Sequence, residues 1–411
     1  MAEARVFGLP ADKGRWGFVG LGFVANVCMG AVYAFSVFRK PLEELWGITA
    51  TESGLPFMVF LALFALGMAL AGGLVENWGP RKTGILGGIL VGLGWVLAGF
   101  SPNVGLLTLF YGVIGGAGVG VAYGCPIAVA GRWFPDRRGL ALGLTLAGFG
   151  ASALVVAPIM NALIAAQGPL RTFTIMGIAF LAVIVLASLP MRFPPRDAKT
   201  APATGKARPS GVDFDRGQMV RTPTFWALWG VYTIGCLAGL MAIGIAAPFG
   251  REVAQLSAGL SAAAVSVFAV FNGVGRPVFG WLTDRLTPRY AGTLSFALIL
   301  VASLLLWRAG ASQVAYFVGF SVLWLNLGGW LAIAPAATAT LFGTGHYAKN
   351  YGIMFTAYGV GAILGNVMSG LLRDLTSSYV AVFPPVMALA ALGAVVALVG
   401  LPRFGVKVKG K

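Results

Sequence analysis

GWLTDRLTPR, residues Gly280–Arg289, echoes an earlier stretch of the chain, GGLVENWGPR, residues Gly72–Arg81. The two agree at Gly72 and Gly280, Leu74 and Leu282, Glu76 and Asp284, Pro80 and Pro288, and Arg81 and Arg289, all at one offset of 208 residues. Each follows a long apolar run, roughly 53–75 and 260–283, and leads into another. Two loops in matching places after matching runs point to a duplicated unit, and internal duplication of this kind is characteristic of membrane folds built from repeats.

Outward from this pair, the chain resolves into twelve apolar runs: 16–38, 53–75, 83–101, 105–131, 140–166, 171–191, 224–249, 260–283, 290–309, 314–341, 351–373 and 380–402. With 58% hydrophobic residues, 10% charged and a mean hydropathy of +0.85, the 411-residue chain is no soluble globular protein. The expected fold is an all-α membrane protein of twelve transmembrane helices in two six-helix halves related by pseudo-symmetry. The N-terminal bundle takes residues 1–193 and the C-terminal bundle 223–411. Between them residues 194–222, rich in proline, alanine, threonine and basic side chains, read as a linker. Asp213–Thr222 is expected to form a short surface helix before Pro223 opens the seventh span. The tail before the first run lacks a small-residue cleavage site, so that run reads as a retained helix rather than a signal peptide.

A net charge of +16 raises the question of nucleic acid. Membrane topology accounts for it first. If both termini face the cytoplasm, 22 lysines and arginines fall in inner segments and six in outer ones, with Arg276 left over. The expected location is therefore the plasma (inner) membrane, multi-pass, with both termini cytoplasmic and the lipid bilayer, not nucleic acid, as partner. Cys28, Cys125 and Cys236 are scattered over three spans, and His346 stands in an inner loop without an acid or thiol motif. No nucleophile, metal set or cofactor motif is visible, which argues against an enzyme.

Arg276 is the exceptional residue. It lies inside the eighth run, VSVFAVFNGVGRPVFGWLTD (Val265–Asp284), eight residues and about 12 Å of helix before the next charge, Asp284. A guanidinium at that depth costs at least ~2.5–3.5 kcal/mol on insertion scales, so it should face a wet cavity and meet an anion. None of the thirteen acidic residues falls within a span. The simplest partner is an anion that comes and goes.

The paired loops resemble the G-x-L-x-D-R-x-G-R-[RK] signature of the major facilitator superfamily, carried after the second and eighth helices. That resemblance implies gating by Glu76, Arg81, Asp284 and Arg289; ordinary topology-setting charge is the rival account. The first copy departs from the signature at Glu76 and Asn77. GGAGVGVAYG (Gly115–Gly124), RWFPDRRG (Arg132–Gly139), RTPTFW (Arg221–Trp226), NGVGRP (Asn272–Pro277) and the segment from Phe342 to Gly352 are together similar to the monocarboxylate transporter and oxalate/formate antiporter branch. In that branch, the resemblance implies, Arg276 binds the substrate carboxylate, for which a planar fork of donors is suited.

Asn272, one turn before Arg276, can hold either the guanidinium or the ligand. Tyr123, on a glycine-rich helix expected to pack closely within its own half, and Tyr33 on the first helix are implied to face the ligand; packing and interfacial anchoring are their rivals. Asn326 and Trp330 lie one turn apart on the tenth helix, where Asn326 could equally be interhelical glue. Tyr351, Phe355, Tyr358 and Ala362 share one face of the eleventh. Aligned on Asn350–Gly352, the resemblance to oxalate transporters implies a second cavity lysine for a dianion, and this sequence departs from it with Tyr358 at that place. One fixed cation then matches one carboxylate, because a second buried anionic group would lack a partner.

The expected function is thus secondary active transport of a small monocarboxylate, lactate- or pyruvate-like, by alternating access. Coupling is expected through a proton (symport) or a counter-anion, with Glu252 and Glu52, near outer helix ends, as proton-coupling candidates. An oxalate/formate-type exchanger is the alternative. From another class, a carboxylate-binding membrane sensor signalling through 192–222 remains open.

Overall fold

The computed structural model of the chain describes residues 5–134, 138–194, 214–343 and 346–402. Most of the linker and the C-terminal tail lie outside these. Eleven helical segments among the described residues are long and apolar enough to cross a bilayer, which is the form a chain takes where backbone groups have no water to bond. One of them, Gly143–Ser188, has 46 residues. At roughly 1.5 Å per residue it would be about 70 Å long, over twice a hydrocarbon core. It reverses at Gly168 (φ 79°, ψ 169°), ahead of Pro169. Beyond the reversal the chain runs antiparallel to the third helix, with Thr174 facing Gly99 and Ser188 facing Gly84. This segment is therefore two crossings, and the total is twelve.

We number them α1 (Ala11–Ala34), α2 (Ala50–Ala71), α3 (Asn77–Ala98), α4 (Val104–Trp133), α5 (143–167), α6 (169–188), α7 (Pro223–Glu252), α8 (Ala258–Thr283), α9 (Arg285–Ala309), α10 (Gln313–Phe342), α11 (Lys349–Thr376) and α12 (Tyr379–Gly400). Local sequence starts several of them. Thr49 and Glu52 form a reciprocal capping box on α2, Asn103 caps α4, Thr222 caps α7 with Pro223 in its first turn, and Ser257 caps α8. The short helix ahead of α7 is Arg216–Val220, capped by Asp215, with Met219 buried. A small antiparallel hairpin, Arg5–Val6 with Leu9–Pro10, precedes α1.

The duplicated loops turn in the same way. Between α2 and α3 the reversal is at Gly79 (φ 78°, ψ 165°), and between α8 and α9 it is at Thr287 (φ 72°, ψ 157°), the residue 208 positions on. Proline follows each, at 80 and 288. The glycines of α4 pack inside their own half. A methyl on Gly118 would meet the Val91 backbone of α3 at 2.6 Å, and Gly120 lies against Gly67 of α2.

The halves meet crosswise through equivalent helices, α2 against α11 and α5 against α8. Gly359 of α11 lies on Ala62 and Ala65, and Ser266 of α8 donates to the Ala153 carbonyl at 3.1 Å. The start of α1 and the ends of α4 and α6 gather at one end, where Arg15 donates to the Trp133 carbonyl and the Trp133 indole to that of Arg192. The opposite end is called the far end below.

Candidate functional site

Three helices lose regularity at the same depth. α1 tightens into a 3₁₀ turn over Gly30–Ala34, which contains Tyr33. α5 breaks after Gly150, where Ala151 (φ −89°, ψ 0°) leaves the helical range. α11 is interrupted at Phe355 (φ −67°, ψ −14°). α4 is wound more loosely, with a π segment over Thr108–Gly115. Interrupted membrane helices are tolerated where the backbone lines a cavity or meets a neighbour, and such irregular turns favour functional positions.

Arg276 projects from α8 against this level. Its Nη1 donates to the carbonyl of Leu146 on α5 at 3.0 Å, so the side chain crosses from one half to the other. Its Nε and Nη2 are buried without a well-formed hydrogen bond in the protein, with the Tyr123 phenol within reach of the guanidinium. These two nitrogens form one edge of the guanidinium, the edge whose parallel N–H groups suit a carboxylate. Buried donors without acceptors cost about 1–3 kcal/mol each, a penalty an anion would relieve. Asn272, fully buried one turn earlier, donates its amide nitrogen to the Trp324 carbonyl at 3.3 Å. That bond sets the amide so that Oδ1, itself unpartnered, is the atom turned toward Gly150 beside Arg276.

Aromatic rings wall the neighbourhood. Tyr33 and Tyr358 join hydroxyls at 3.0 Å across the halves. Tyr33 sets its ring edge-on to Phe149 at 5.1 Å, Tyr123 touches both Phe64 and Phe149, and Phe64 reaches Phe355 and Tyr358. The phenols of Tyr33 and Tyr123 are close enough to Arg276 to feel its charge. The structure therefore brings Arg276, Asn272, Tyr33, Tyr123, Phe355 and Tyr358 together.

Asn326 and Trp330 sit elsewhere, which departs from expectation. Asn326 bonds Ser295 of α9 at 2.7 Å and its own Val322 carbonyl, and Trp330 packs within the C-terminal half against Tyr232 and Phe296. Their shared face points into the bundle, so Asn326 is interhelical glue. Phe64, Phe149, Gly150 and the Leu146 carbonyl were not expected at the site. Among 28 phenylalanines and 60 glycines nothing in the sequence marks them.

The far end carries a charged seam between the halves. Glu252 at the end of α7 is ion-paired with Lys40, in the continuation of α1, and with Arg373 of α11 at 2.6 Å. Lys40 also meets Glu43 at 2.7 Å, and Arg251 meets Glu44 at 3.3 Å. Asp374 accepts from the N–H groups of Ala50 and Thr51 at 3.1 Å each and from the Thr51 hydroxyl, so it caps the positive end of α2 from the other half. Arg39, 1% exposed, donates to Ser53, to the Ala50 carbonyl and to the Gly244 carbonyl of α7. A cavity of about 200 Å³ lies in this region, lined in part by Ser36, Lys40, Glu44 and Arg251.

Of the residues expected to couple protons, Glu252 is thus the hub of the seam. Glu52 is held in the α2 capping box, accepting from the Thr49 N–H at 2.8 Å. Of those expected to gate, the Glu76 and Asp284 side chains lie outside the described residues, Arg81 is exposed, and Arg289 lies over the Tyr290 ring at 5.6 Å.

Comparison with known proteins agrees with this architecture. The family model for the Major Facilitator Superfamily matches residues 21–366. The chain is 31% identical over 356 residues to the oxalate:formate antiporter of Oxalobacter formigenes, covering 85% of this chain and 83% of that one. It is 27% identical to monocarboxylate transporter 13 of Bos taurus, over 96% of this chain and 91% of that protein. In fold it is similar to a bacterial homolog of the human lysosomal transporter Spinster, solved inward-facing and unoccupied, with a TM-score of 0.72 at 16% identity and coverage of 94% and 96%.

Proposed function

The chain belongs to the Major Facilitator Superfamily of membrane transporters, and on that premise we propose that its cargo is a small monocarboxylate, lactate- or pyruvate-like, carried by alternating access. One observation carries this reading: Arg276 is pinned through Nη1 while its Nε and Nη2 edge is buried without a well-formed hydrogen bond. A carboxylate supplies both missing acceptors and the missing charge. The aromatic surfaces of Phe64, Phe149 and Phe355 cover a short alkyl part, and the phenols of Tyr33, Tyr123 and Tyr358 accept or donate to its polar substituent.

The way the halves touch supports alternating access. Ion pairs and caps hold the far end shut, and the site sits where α1, α5 and α11 are broken. With the basic loops cytoplasmic, this is a form closed toward the outside. Loading neutralises Arg276, and the halves rock about the site. Glu76, Arg81, Asp284 and Arg289 gate the other end. Glu252 takes the coupling proton in a symport cycle: protonated, it no longer holds Lys40 and Arg373, and the far end parts.

An oxalate/formate-type exchange is the second reading, favoured by the 31% identity to the oxalate:formate antiporter. Against it stands Tyr358, a neutral phenol where a second cation would be needed. Binding of mono- and dicarboxylates to purified protein at two pH values decides between them. Tight binding of lactate or pyruvate with weak oxalate binding supports the monoacid. Oxalate uptake into proteoliposomes against internal formate, with no lactate uptake, overturns it.

A further inference from the structure

The face of α5 that meets Arg276 has a carbonyl at one turn and no side chain at the next. Leu146 offers its oxygen to Nη1, and four residues on, Gly150 lies beside the other edge of the same guanidinium. A methyl group built on Gly150 would stand 3.1 Å from Asn272 Oδ1 and 3.3 Å from both Arg276 Nε and the Gly273 Cα of α8. Neither side-chain atom can easily withdraw, since Arg276 is held by Leu146 and Asn272 by the Trp324 carbonyl. Gly150 is therefore packed against Arg276, Asn272 and the Gly273 backbone of α8, and any side chain added there would crowd the Nε edge. A carboxylate oxygen bonded there must come within about 2.8 Å of the nitrogen, closer than a methyl carbon would permit beside it.

Resting on the carboxylate reading above, we propose that Gly150 is a specificity-determining residue: its missing side chain leaves both donors of the Arg276 edge open, so that the N-terminal half selects a bidentate carboxylate bound by the C-terminal half. Gly150 and Arg276 act as one recognition unit assembled only when α5 and α8 meet. The glycine acts on the head of the cargo and not on its tail.

The test is Gly150→Ala. Gly150 has no positive φ, so alanine suits its backbone, and helix propensity favours the change. Binding of formate, lactate and pyruvate is measured for wild type and variant. With one charge-assisted bond lost, all three acids should weaken together by roughly 10- to 100-fold. In an Arg276→Lys background, which has no fork, Gly150→Ala should add little. If the single variant does not give folded, monodisperse protein, Gly150→Ala with Asn272→Ala is compared with Asn272→Ala alone, since that change removes the atom the methyl meets most closely.

Unchanged affinities in Gly150→Ala would overturn the assignment. So would a loss confined to the larger acids with formate spared, which marks crowding of the tail. If wild-type protein binds none of the three acids, it is the carboxylate reading that fails, a result distinct from either of these.

Discussion

Tyr33 of α1 and Tyr358 of α11 meet hydroxyl to hydroxyl at 3.0 Å, and both are buried. Their bond ties the two halves close to Arg276. A neutral hydrogen bond of this kind contributes about 0.5–1.5 kcal/mol. Tyr33→Phe and Tyr358→Phe should each lower the thermal stability of the purified protein, and the double variant should lose no more than either single one. Additive losses would mean the hydroxyls act separately.

Arg276→Ala should abolish binding of monocarboxylates while leaving a folded protein. Arg276→Lys keeps the charge but has no fork, and should bind lactate at least about tenfold more weakly than wild type. Robust lactate or pyruvate uptake by Arg276→Ala in proteoliposomes would remove the arginine from its role.

Tyr358→Lys places a second cation within the aromatic wall. The ratio of oxalate to lactate affinity should rise by roughly tenfold or more, the worth of one charged hydrogen bond. An unchanged ratio would show that cargo charge is not read at this position.

Glu252→Gln removes the carboxylate that joins Lys40 to Arg373 and leaves Lys40 only Glu43. Closure of that end should weaken. The change is read at Ser36→Cys, a buried position lining the far-end cavity. Labelling by a water-soluble maleimide should quicken by about tenfold for each 1.4 kcal/mol of closure lost. Equal labelling rates with and without Glu252→Gln would deny the seam a gating role.

Thr287 and Gly79 hold nearly the same backbone conformation, one that L-residues with a branched Cβ rarely adopt. A non-glycine residue there carries about 1–3 kcal/mol of strain. Thr287→Gly should raise the unfolding temperature, and Gly79→Thr should lower it. If both changes leave it untouched, the two turns are relaxed.

Most of the helical layout was legible beforehand because hydropathy alone dictates it. Residues such as Leu74 and Leu282 needed only their spacing to declare a repeat, and Gly79 and Thr287 later proved to turn alike. Arg276 was legible for the opposite reason, as a charge where none is comfortable. Phe64 and Phe149 were not, since a phenylalanine packed among the aromatic rings near Arg276 looks in sequence like one facing lipid. Lys40, Arg251 and Arg373 counted in sequence only as loop charge; their partners Glu252 and Glu44 lie more than a hundred residues away in the chain.

The order of residues along the chain was enough to establish a twelve-helix duplicated membrane fold with one cation deep within an apolar run, because burial in lipid constrains each segment by itself. Which edge of that cation stays open, that Asn326 and Trp330 turn into the bundle, and that the far end is laced by ion pairs were decided only by packing. Those properties belong to pairs of side chains brought together from separate helices, and contact across the two halves has no signature within either one.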